Sequence, residues 1–139
     1  MLFRSVCARI DRLAADLAAL RLLVQPDREP VWRGSEQTNN LVVDVVASYY
    51  HAPPDVIRGL GRTQLVSRMR ILASAQMRLR YQSTVMSIGE QLNRDHTTII
   101  YLLRKHAELC RTDIGYLSAF SDLTELLEAA DKRTQQREL

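Results

Sequence analysis

The chain has 139 residues, of which 46% are hydrophobic and 25% are charged, and its formal net charge is +3. This length suits one compact domain with an appendage, and the composition is that of a soluble globular protein. Its apolar runs stay short of the ~20 residues that a membrane span needs, so we expect no membrane association. Acidic residues interrupt the N-terminal segment, which therefore lacks the order of a signal peptide and predicts a cytoplasmic protein.

Charge is distributed unevenly along the chain. Between Arg58 and Arg111 there are ten basic and three acidic residues, whereas residues 1–57 carry a net charge of −1 and residues 112–139 a net charge of −3. Seventeen of the nineteen basic residues are arginine, whose planar guanidinium binds a phosphate or a guanine edge at two points. This basic central block indicates a polyanionic partner on one face, although a solvated charged surface would give the same pattern.

The two cysteines, Cys7 and Cys110, lie far apart and outside any CxxC pattern. This spacing argues against a disulfide framework and against a zinc finger. His106 and Cys110 are four residues apart and would share a helix face, but no second pair of metal ligands follows them. We therefore expect neither a metal ion nor another cofactor.

The N-terminal segment, residues 1–24, predicts an amphipathic helix, because apolar residues recur every three or four positions along it. That stripe fits a helix that packs on its own domain, and it also fits a homodimer formed through residues 6–24. The next segment, residues 25–38, contains two prolines and the only tryptophan, Trp32, and lacks periodicity. It predicts a linker or loop.

The rest of the chain predicts a series of helices. They lie over residues 39–50, 63–81, 86–92, 96–110 and 114–131, with a short helical turn that ends at Ile57. Asn39 or Asn40 would cap the first of these helices. Gly59 and Gly61 follow the short turn, so Arg62 lies in or beside a glycine loop. No stretch requires a strand, and the fold class is therefore all-α.

Residues 86–106 have the spacing of a helix-turn-helix. Ile88 and Leu92 lie one turn apart on the first helix, and Ile99 follows Leu92 by seven residues and begins the apolar face of the second. Gly89 would allow the two helices to approach closely. Two short helices that share an apolar seam across a tight turn form such a unit, whose second helix enters the major groove of DNA.

The N-terminus of this second helix carries side chains that suit contact with base edges. Asp95 can accept from a cytosine amine, and His96 can donate or accept. Thr97 and Thr98 each offer a hydroxyl and a methyl group, while Arg94 can bind phosphate or guanine. Other interpretations remain open here, because Asp95 also suits a helix cap, His96 a surface position and Thr98 an inward one.

The segment "RDHTTIIYLLRK", residues 94–105, closely resembles the signature of the C-terminal DNA-binding domain of the bacterial replication initiator DnaA. The resemblance extends upstream through "GRTQLVSRMRILA" and "VASYYHAPPDVI", and it covers about residues 39–111. It implies an all-α, multi-helix domain with an architecture similar to the Trp repressor. Its helix-turn-helix, at about residues 86–106, would bind double-stranded DNA.

The resemblance also implies roles for individual residues. Base recognition would fall to Arg94, Asp95, His96, Thr97 and Thr98. The basic loop before the long helix would place Arg62 in the minor groove, with Gln64 beside it. Contacts with the DNA backbone would come from Arg68, Arg70, Arg104 and Lys105.

The chain departs from the family's pattern in two respects. Only Asn93 stands before Arg94 where the family often has two glycines, so the turn is one residue shorter. No GxxxxGK[ST] motif occurs, and 139 residues are too few for the family's nucleotide-binding module, so we expect no nucleotide partner. The sequence predicts a stand-alone DnaA-like module followed by a C-terminal helix and tail, residues 112–139.

The leading hypothesis is a sequence-specific double-stranded DNA-binding protein of the nucleoid, without enzymatic activity. It would regulate transcription or replication through initiator-like boxes. The alternative is a protein-interaction module that uses the N-terminal helix and the acidic C-terminal helix. A catalytic dyad of Asp95 and His96 is disfavoured, because neighbouring residues of a helix point about 100° apart.

Overall fold

The structure is a computed structural model and describes residues 34–138. The helix expected within residues 1–24 and the predicted position of Trp32 lie outside the described residues. Over residues 34–138 every regular element is a helix, which confirms the all-α prediction. None of these helices combines the length and the apolar character that crossing a bilayer would require.

Six helices follow one another in the described part of the chain. They are α1 (Glu36–Tyr49), α2 (Asp55–Arg58), α3 (Gln64–Leu79), α4 (Val85–Leu92), α5 (His96–Thr112) and α6 (Ile114–Glu138). Each lies where the sequence predicts a helix or a helical turn. The largest difference is at the C-terminus, where α6 continues past the predicted end at position 131.

Helix α1 begins earlier than the sequence indicates, because a different residue caps it. The Ser35 hydroxyl accepts from the Thr38 backbone N–H at 3.3 Å, and the Ser35 N–H donates to the Thr38 hydroxyl at 2.8 Å. This reciprocal pair is a capping box. The prediction that Asn39 or Asn40 caps α1 is therefore wrong. Asn39 is instead buried inside α1, where its side-chain amide bonds two serines at the start of α4.

Helix α3 lies at the centre of the fold. Every residue from Met69 to Arg78 is buried, so neighbouring elements surround about three turns of this helix on all sides. The core around it is aliphatic and aromatic, and its fully buried members include Val42, Val43, Val46, Ile57, Leu72, Ile88, Leu92, Ile99, Tyr116, Leu123 and Leu127. A core that draws on all six helices holds the surface elements described below at fixed positions.

The acidic side chains of α6 attach this helix to the rest of the domain. The Tyr49 hydroxyl donates to the Asp122 carboxylate at 2.8 Å. Further along, Asp131 accepts from the Arg80 guanidinium at 2.7 Å and from the Tyr81 hydroxyl at 2.9 Å. Burial, together with the bond to Asp131, raises the pKa of Tyr81 to about 12. Part of the acidic charge of α6 is therefore used within the domain.

A buried histidine lies between α5 and α6. His106 is fully buried, its Nδ1 forms a hydrogen bond with the Tyr116 hydroxyl, and its ring lies 4.6 Å from the Phe120 ring, centroid to centroid. The Cys110 sulfur is 3.6 Å from His106 Nε2. Burial lowers the pKa of His106 to about 4, so the imidazole is neutral at pH 7. Within residues 34–138 no three potential ligands gather as a metal site would require.

We expect acid to destabilise the fold through His106. On folding, burial lowers the pKa of His106 from its usual value of 6.5 to about 4. Its contribution to stability is therefore complete above pH 6.5 and is lost as the pH falls towards 4. The unfolding free energy should decrease by roughly 2 kcal/mol between about pH 7 and about pH 5. Urea unfolding at these two pH values measures the decrease.

The matched control for this experiment replaces the buried polar pair by apolar groups of similar shape, in the double variant His106→Leu/Tyr116→Phe. Its unfolding free energy should lose most of this pH dependence, because no buried imidazole remains to be protonated. An unchanged pH dependence in the double variant would assign the acid sensitivity to other groups.

Candidate nucleic-acid interface

The turn between α4 and α5 is closed by a Schellman motif. Asn93 has a φ of 54°, a left-handed conformation that asparagine tolerates better than most residues. The Arg94 N–H donates to the Gly89 carbonyl at 2.8 Å, and the Asn93 N–H donates to the Glu90 carbonyl at 3.4 Å. One asparagine is therefore sufficient for the short turn that the sequence predicts.

Gly89 lets the start of α5 approach α4 closely. A Cβ atom at this position would lie 2.6 Å from the Arg94 carbonyl oxygen, which is backbone and has little room to move. Ile88, Leu92 and Ile99 are fully buried and form the apolar seam between the two helices. The predicted close approach at Gly89 and the predicted seam are both confirmed.

Asp95 caps the N-terminus of α5. Its carboxylate accepts from the Thr97 backbone N–H at 3.3 Å and also from the Thr97 hydroxyl. The bond from the hydroxyl, and then the bond from the backbone N–H, lower the pKa of Asp95. The expectation that Asp95 caps this helix is confirmed. Because the Thr97 hydroxyl donates its proton to Asp95, its oxygen remains available to accept.

His96 lies next to this cap and is exposed. Its Nδ1 is 3.3 Å from Asp95 Oδ1, and the two side chains are 47% and 64% exposed. The expectation that Asp95 and His96 diverge is wrong, because Asp95 precedes the helix and has an extended backbone. Thr97 is exposed as well, whereas Thr98 is half-buried. The side chains of Asp95, His96 and Thr97 thus face solvent together at the helix N-terminus.

A buried arginine holds the glycine loop, residues 59–62. Arg70 is 7% exposed, and its guanidinium donates to the carbonyls of Gly59 and Gly61 at 2.6 Å each. Two further bonds reach carbonyls of α2. Burial, and then the charge of Arg94, lower the pKa of Arg70. The sequence predicts that Arg70 contacts the DNA backbone, but the structure places it in the interior, where it makes four hydrogen bonds to backbone carbonyls.

Arg94 links the glycine loop to the helix-turn-helix. Its guanidinium donates to the Gly59 carbonyl and, at 3.0 Å, to the Asn93 carbonyl of the turn. Arg58 makes a second connection by donating to the Gln91 carbonyl of α4 at 3.3 Å. The loop, the turn and the start of α5 are therefore held together, and they lie side by side on one surface.

The two side chains predicted for the minor groove lie in this loop and at the start of the helix after it. Arg62 and Gln64 are both exposed, on either side of Thr63, whose hydroxyl caps α3 by accepting from the Val66 N–H at 3.3 Å. The cap fixes the direction in which the loop enters α3. Arg62 and Gln64 thus extend into solvent from a backbone that is fixed on both sides.

The remaining predicted contacts with the DNA backbone differ in their surroundings. Arg104 is exposed on α5. Lys105 is 37% exposed and lies 3.5 Å from Glu108, one turn later on the same helix. Arg68 is 29% exposed and forms an ion pair with Asp113 at 2.7 Å, between α3 and the start of α6. The structure thus leaves Arg104 at the surface and engages Arg68 within the domain.

Several exposed apolar side chains near these residues are not singled out by the sequence. Leu60 in the glycine loop is 90% exposed, Met86 in α4 is 58% exposed, and Tyr101 in α5 is 60% exposed. Tyr101 lies one turn after Thr97 on the exposed face of α5. The sequence could have indicated that Tyr101 is exposed, because position 101 falls outside the apolar spacing that marks the buried face of α5.

We expect the substitution Gly89→Ala to destabilise the domain by about 2 kcal/mol, because the added methyl group overlaps a backbone oxygen. Gly61→Ala is the matched control, since a Cβ there would meet only Val66 Cγ1, at 3.9 Å. Urea unfolding of both variants measures the difference. Equal stability of the two variants would contradict the proposed close approach of α4 and α5.

We expect Arg70→Met to loosen the glycine loop without unfolding the domain. The substitution keeps an unbranched apolar side chain but leaves the Gly61 carbonyl without its donor and removes one of the two donors to the Gly59 carbonyl, at a cost of about 1–3 kcal/mol. Amide hydrogen exchange of residues 59–63 should accelerate, while exchange in the buried part of α3 changes little. The surface variant Arg104→Met should leave exchange in the loop unchanged, and an equal acceleration in both variants would refute the assignment.

Comparison with known proteins relates this surface to a family. Residues 40–105 match the family model described as the bacterial dnaA protein helix-turn-helix. The chromosomal replication initiator protein DnaA of Deinococcus deserti is 32% identical over 90 residues, which cover 65% of this chain and 20% of that protein. The DnaA of Gloeothece citriformis is 30% identical over 107 residues, which cover 76% of this chain and 23% of that protein.

This chain spans about a fifth of the length of these relatives. The matched segment nevertheless contains the glycine loop, the Schellman turn and the capped N-terminus of α5. The elements that form the exposed surface therefore all lie within the matched segment. Residues 40–105 of this chain belong to the DNA-binding helix-turn-helix family of bacterial DnaA.

Proposed function

We propose that this chain recognises a specific sequence of double-stranded DNA and regulates transcription or replication through sites similar to initiator boxes. One observation carries the proposal further than the family alone. The Arg94 guanidinium bonds the Gly59 carbonyl, and it therefore holds the glycine loop beside the N-terminus of α5. A helix N-terminus for the major groove and a basic loop for the neighbouring minor groove are thus presented together.

In the major groove, the first turn of α5 would contact base edges. His96 is exposed and donates or accepts according to its tautomer. The Thr97 hydroxyl donates to Asp95, so towards a base it acts as an acceptor and selects the amine of cytosine or adenine. Asp95 has the double role of cap and acceptor. Thr98, half-buried, would contribute less to base recognition than the three residues before it.

In the minor groove, Arg62 would be the principal contact and Gln64 would lie beside it, since both are exposed. Phosphates would be neutralised by Arg104 and Lys105 on α5. Arg68 is paired with Asp113, which offsets its charge, so Arg68 would contribute less to phosphate binding than Arg104. We assign Arg94 to the junction between the two grooves, because its donors already bridge the loop and the turn.

The proposed role of the whole protein rests on the same residue assignments. We propose that residues 39–111 form the binding unit and that α6 supports it, in part through Gln76 of α3, which donates to Thr124 at 3.0 Å. The sequence contains no GxxxxGK[ST] motif, so DNA binding by these residues would require no nucleotide. The protein would act on the nucleoid as a binding protein, without a catalytic step. A homodimer through residues 6–24 would double this surface.

The decisive experiment is selection of bound sequences from a random duplex library by the full chain at near-physiological salt. We expect one enriched motif. His96→Ala and Thr97→Ala should change the bases preferred at one or two positions, at roughly 1–3 kcal/mol per lost base contact. A two-fold symmetric motif would support the homodimer, and an asymmetric motif would contradict it.

Salt dependence separates the phosphate contacts from the base contacts. Arg104→Ala should weaken binding to every duplex and lower the slope of log affinity against log salt by about one unit. Arg133→Ala, which removes an exposed arginine near the end of α6, is the matched control and should leave the slope unchanged. The proposal fails if the wild-type chain enriches no motif, or if His96→Ala and Thr97→Ala both leave the motif unaltered.

A further inference from the structure

Leu60 is the most exposed large apolar side chain in the described part of the chain. It stands between Gly59 and Gly61, and 90% of its surface is exposed. The loop that carries it is held by the guanidinium of Arg70 at both flanking glycines and by that of Arg94 at Gly59. The exposure of Leu60 is therefore fixed by the hydrogen bonds of its neighbours, and the side chain has no place in the core.

The position of Leu60 relative to Arg62 limits what it can contact. The Cα atoms of two residues that are separated by one other residue, such as Leu60 and Arg62, are at most about 7 Å apart. The minor groove of B-DNA is about 6 Å wide. An Arg62 side chain that enters the minor groove therefore brings the backbone of Leu60 close to the same stretch of groove. This step rests on the proposed function, which places Arg62 there.

The positive charge around Leu60 favours a nucleic acid as the partner that this side chain contacts. Arg58, Arg62 and Arg94 surround the loop with positive charge, and the guanidinium of Arg70 lies beneath it, bonded to carbonyls. An apolar protein partner would have to desolvate these cations, whereas the phosphates that border a minor groove would complement them. Proteins that bind the minor groove often combine basic residues with an apolar side chain, such as leucine, which they insert as a wedge between base steps. Leu60 and its basic surroundings have the same combination.

We propose that Leu60 enters the minor groove beside Arg62 and acts as a wedge against one base step, bending the duplex towards the major groove. Pyrimidine–purine steps are the ones most easily unstacked. The recognised site should therefore contain such a step at a fixed distance from the bases that α5 contacts, even though no hydrogen bond reads it. Leu60 is then a residue that determines specificity through the deformability of DNA.

The test uses the full chain and a duplex obtained by selection from a random library. It compares the wild type with Leu60→Ser, which removes the apolar wedge, and Leu60→Met, which keeps it. Ile114→Ser is the matched control, because Ile114 is 76% exposed and follows the opposite end of α5. Bending is measured by energy transfer between dyes at the two duplex ends, and unstacking by 2-aminopurine placed at successive steps.

We expect Leu60→Ser to bind about ten-fold more weakly, to reduce the bend and to leave 2-aminopurine stacked. In a repeated selection it should lose the preference for the pyrimidine–purine step and keep the bases contacted by α5. Leu60→Met and Ile114→Ser should behave as the wild type does. The salt dependence should not change, since no charge is removed.

Three results would overturn the inference, and they can be distinguished from one another. If the wild type selects a motif and Leu60→Ser selects the same motif with the same bend, the wedge is refuted while the proposed function stands. If Leu60→Ser instead changes the oligomeric state in sedimentation and leaves DNA bending intact, Leu60 serves a contact between proteins. If the wild type selects no duplex, the proposed function fails, and the wedge fails with it.

Discussion

The arrangement of the candidate interface depends on one buried cation. Arg70 lies inside the domain, and its donors bond the carbonyls of the glycine loop and of α2. These bonds offset the loss of hydration that burial imposes on a guanidinium. Compensation by carbonyl dipoles leaves the positive charge of Arg70 in place, whereas compensation by a carboxylate would cancel it. The same side chain thus shapes the loop and adds to the potential that a polyanion meets above it.

Arg94 gives the interface a second property, because it connects elements that would contact different grooves. Its bonds to Gly59 and to Asn93 leave little freedom for the loop to move relative to the start of α5. The distance between the proposed minor-groove contact and the proposed major-groove contact would therefore be set within the protein. If it binds DNA as proposed, such a protein would distinguish sites by the spacing of their features as well as by the identity of individual bases.

Most of the fold and part of the interface follow from local patterns in the sequence. The apolar spacing of Ile88, Leu92 and Ile99 locates the helix-turn-helix, and the cap at Asp95 depends on residues within one turn of it. Other features depend on contacts between distant segments. Ser35 caps α1 in competition with the equally suitable Asn39, which the core binds instead.

The role of Arg70 could not be predicted from the sequence, for a similar reason. An arginine in a basic segment suggests an exposed phosphate contact, and its burial depends on carbonyls that lie nine to fourteen residues earlier in the chain. Leu60 is missed because Gly-Leu-Gly is compatible with a loop that folds inwards. Only the hydrogen bonds around the loop direct this leucine outwards.

The hydrogen bonds that hold the glycine loop also determine which terms would contribute to the free energy of DNA binding. A flexible basic arm loses conformational entropy when it settles into a groove, and the ordering contributes its own change in heat capacity. Here the carbonyls of Gly59 and Gly61 are bonded before any duplex arrives. Association would then be close to the docking of rigid bodies, and its heat-capacity change would reflect the buried surface alone, together with any distortion of the DNA.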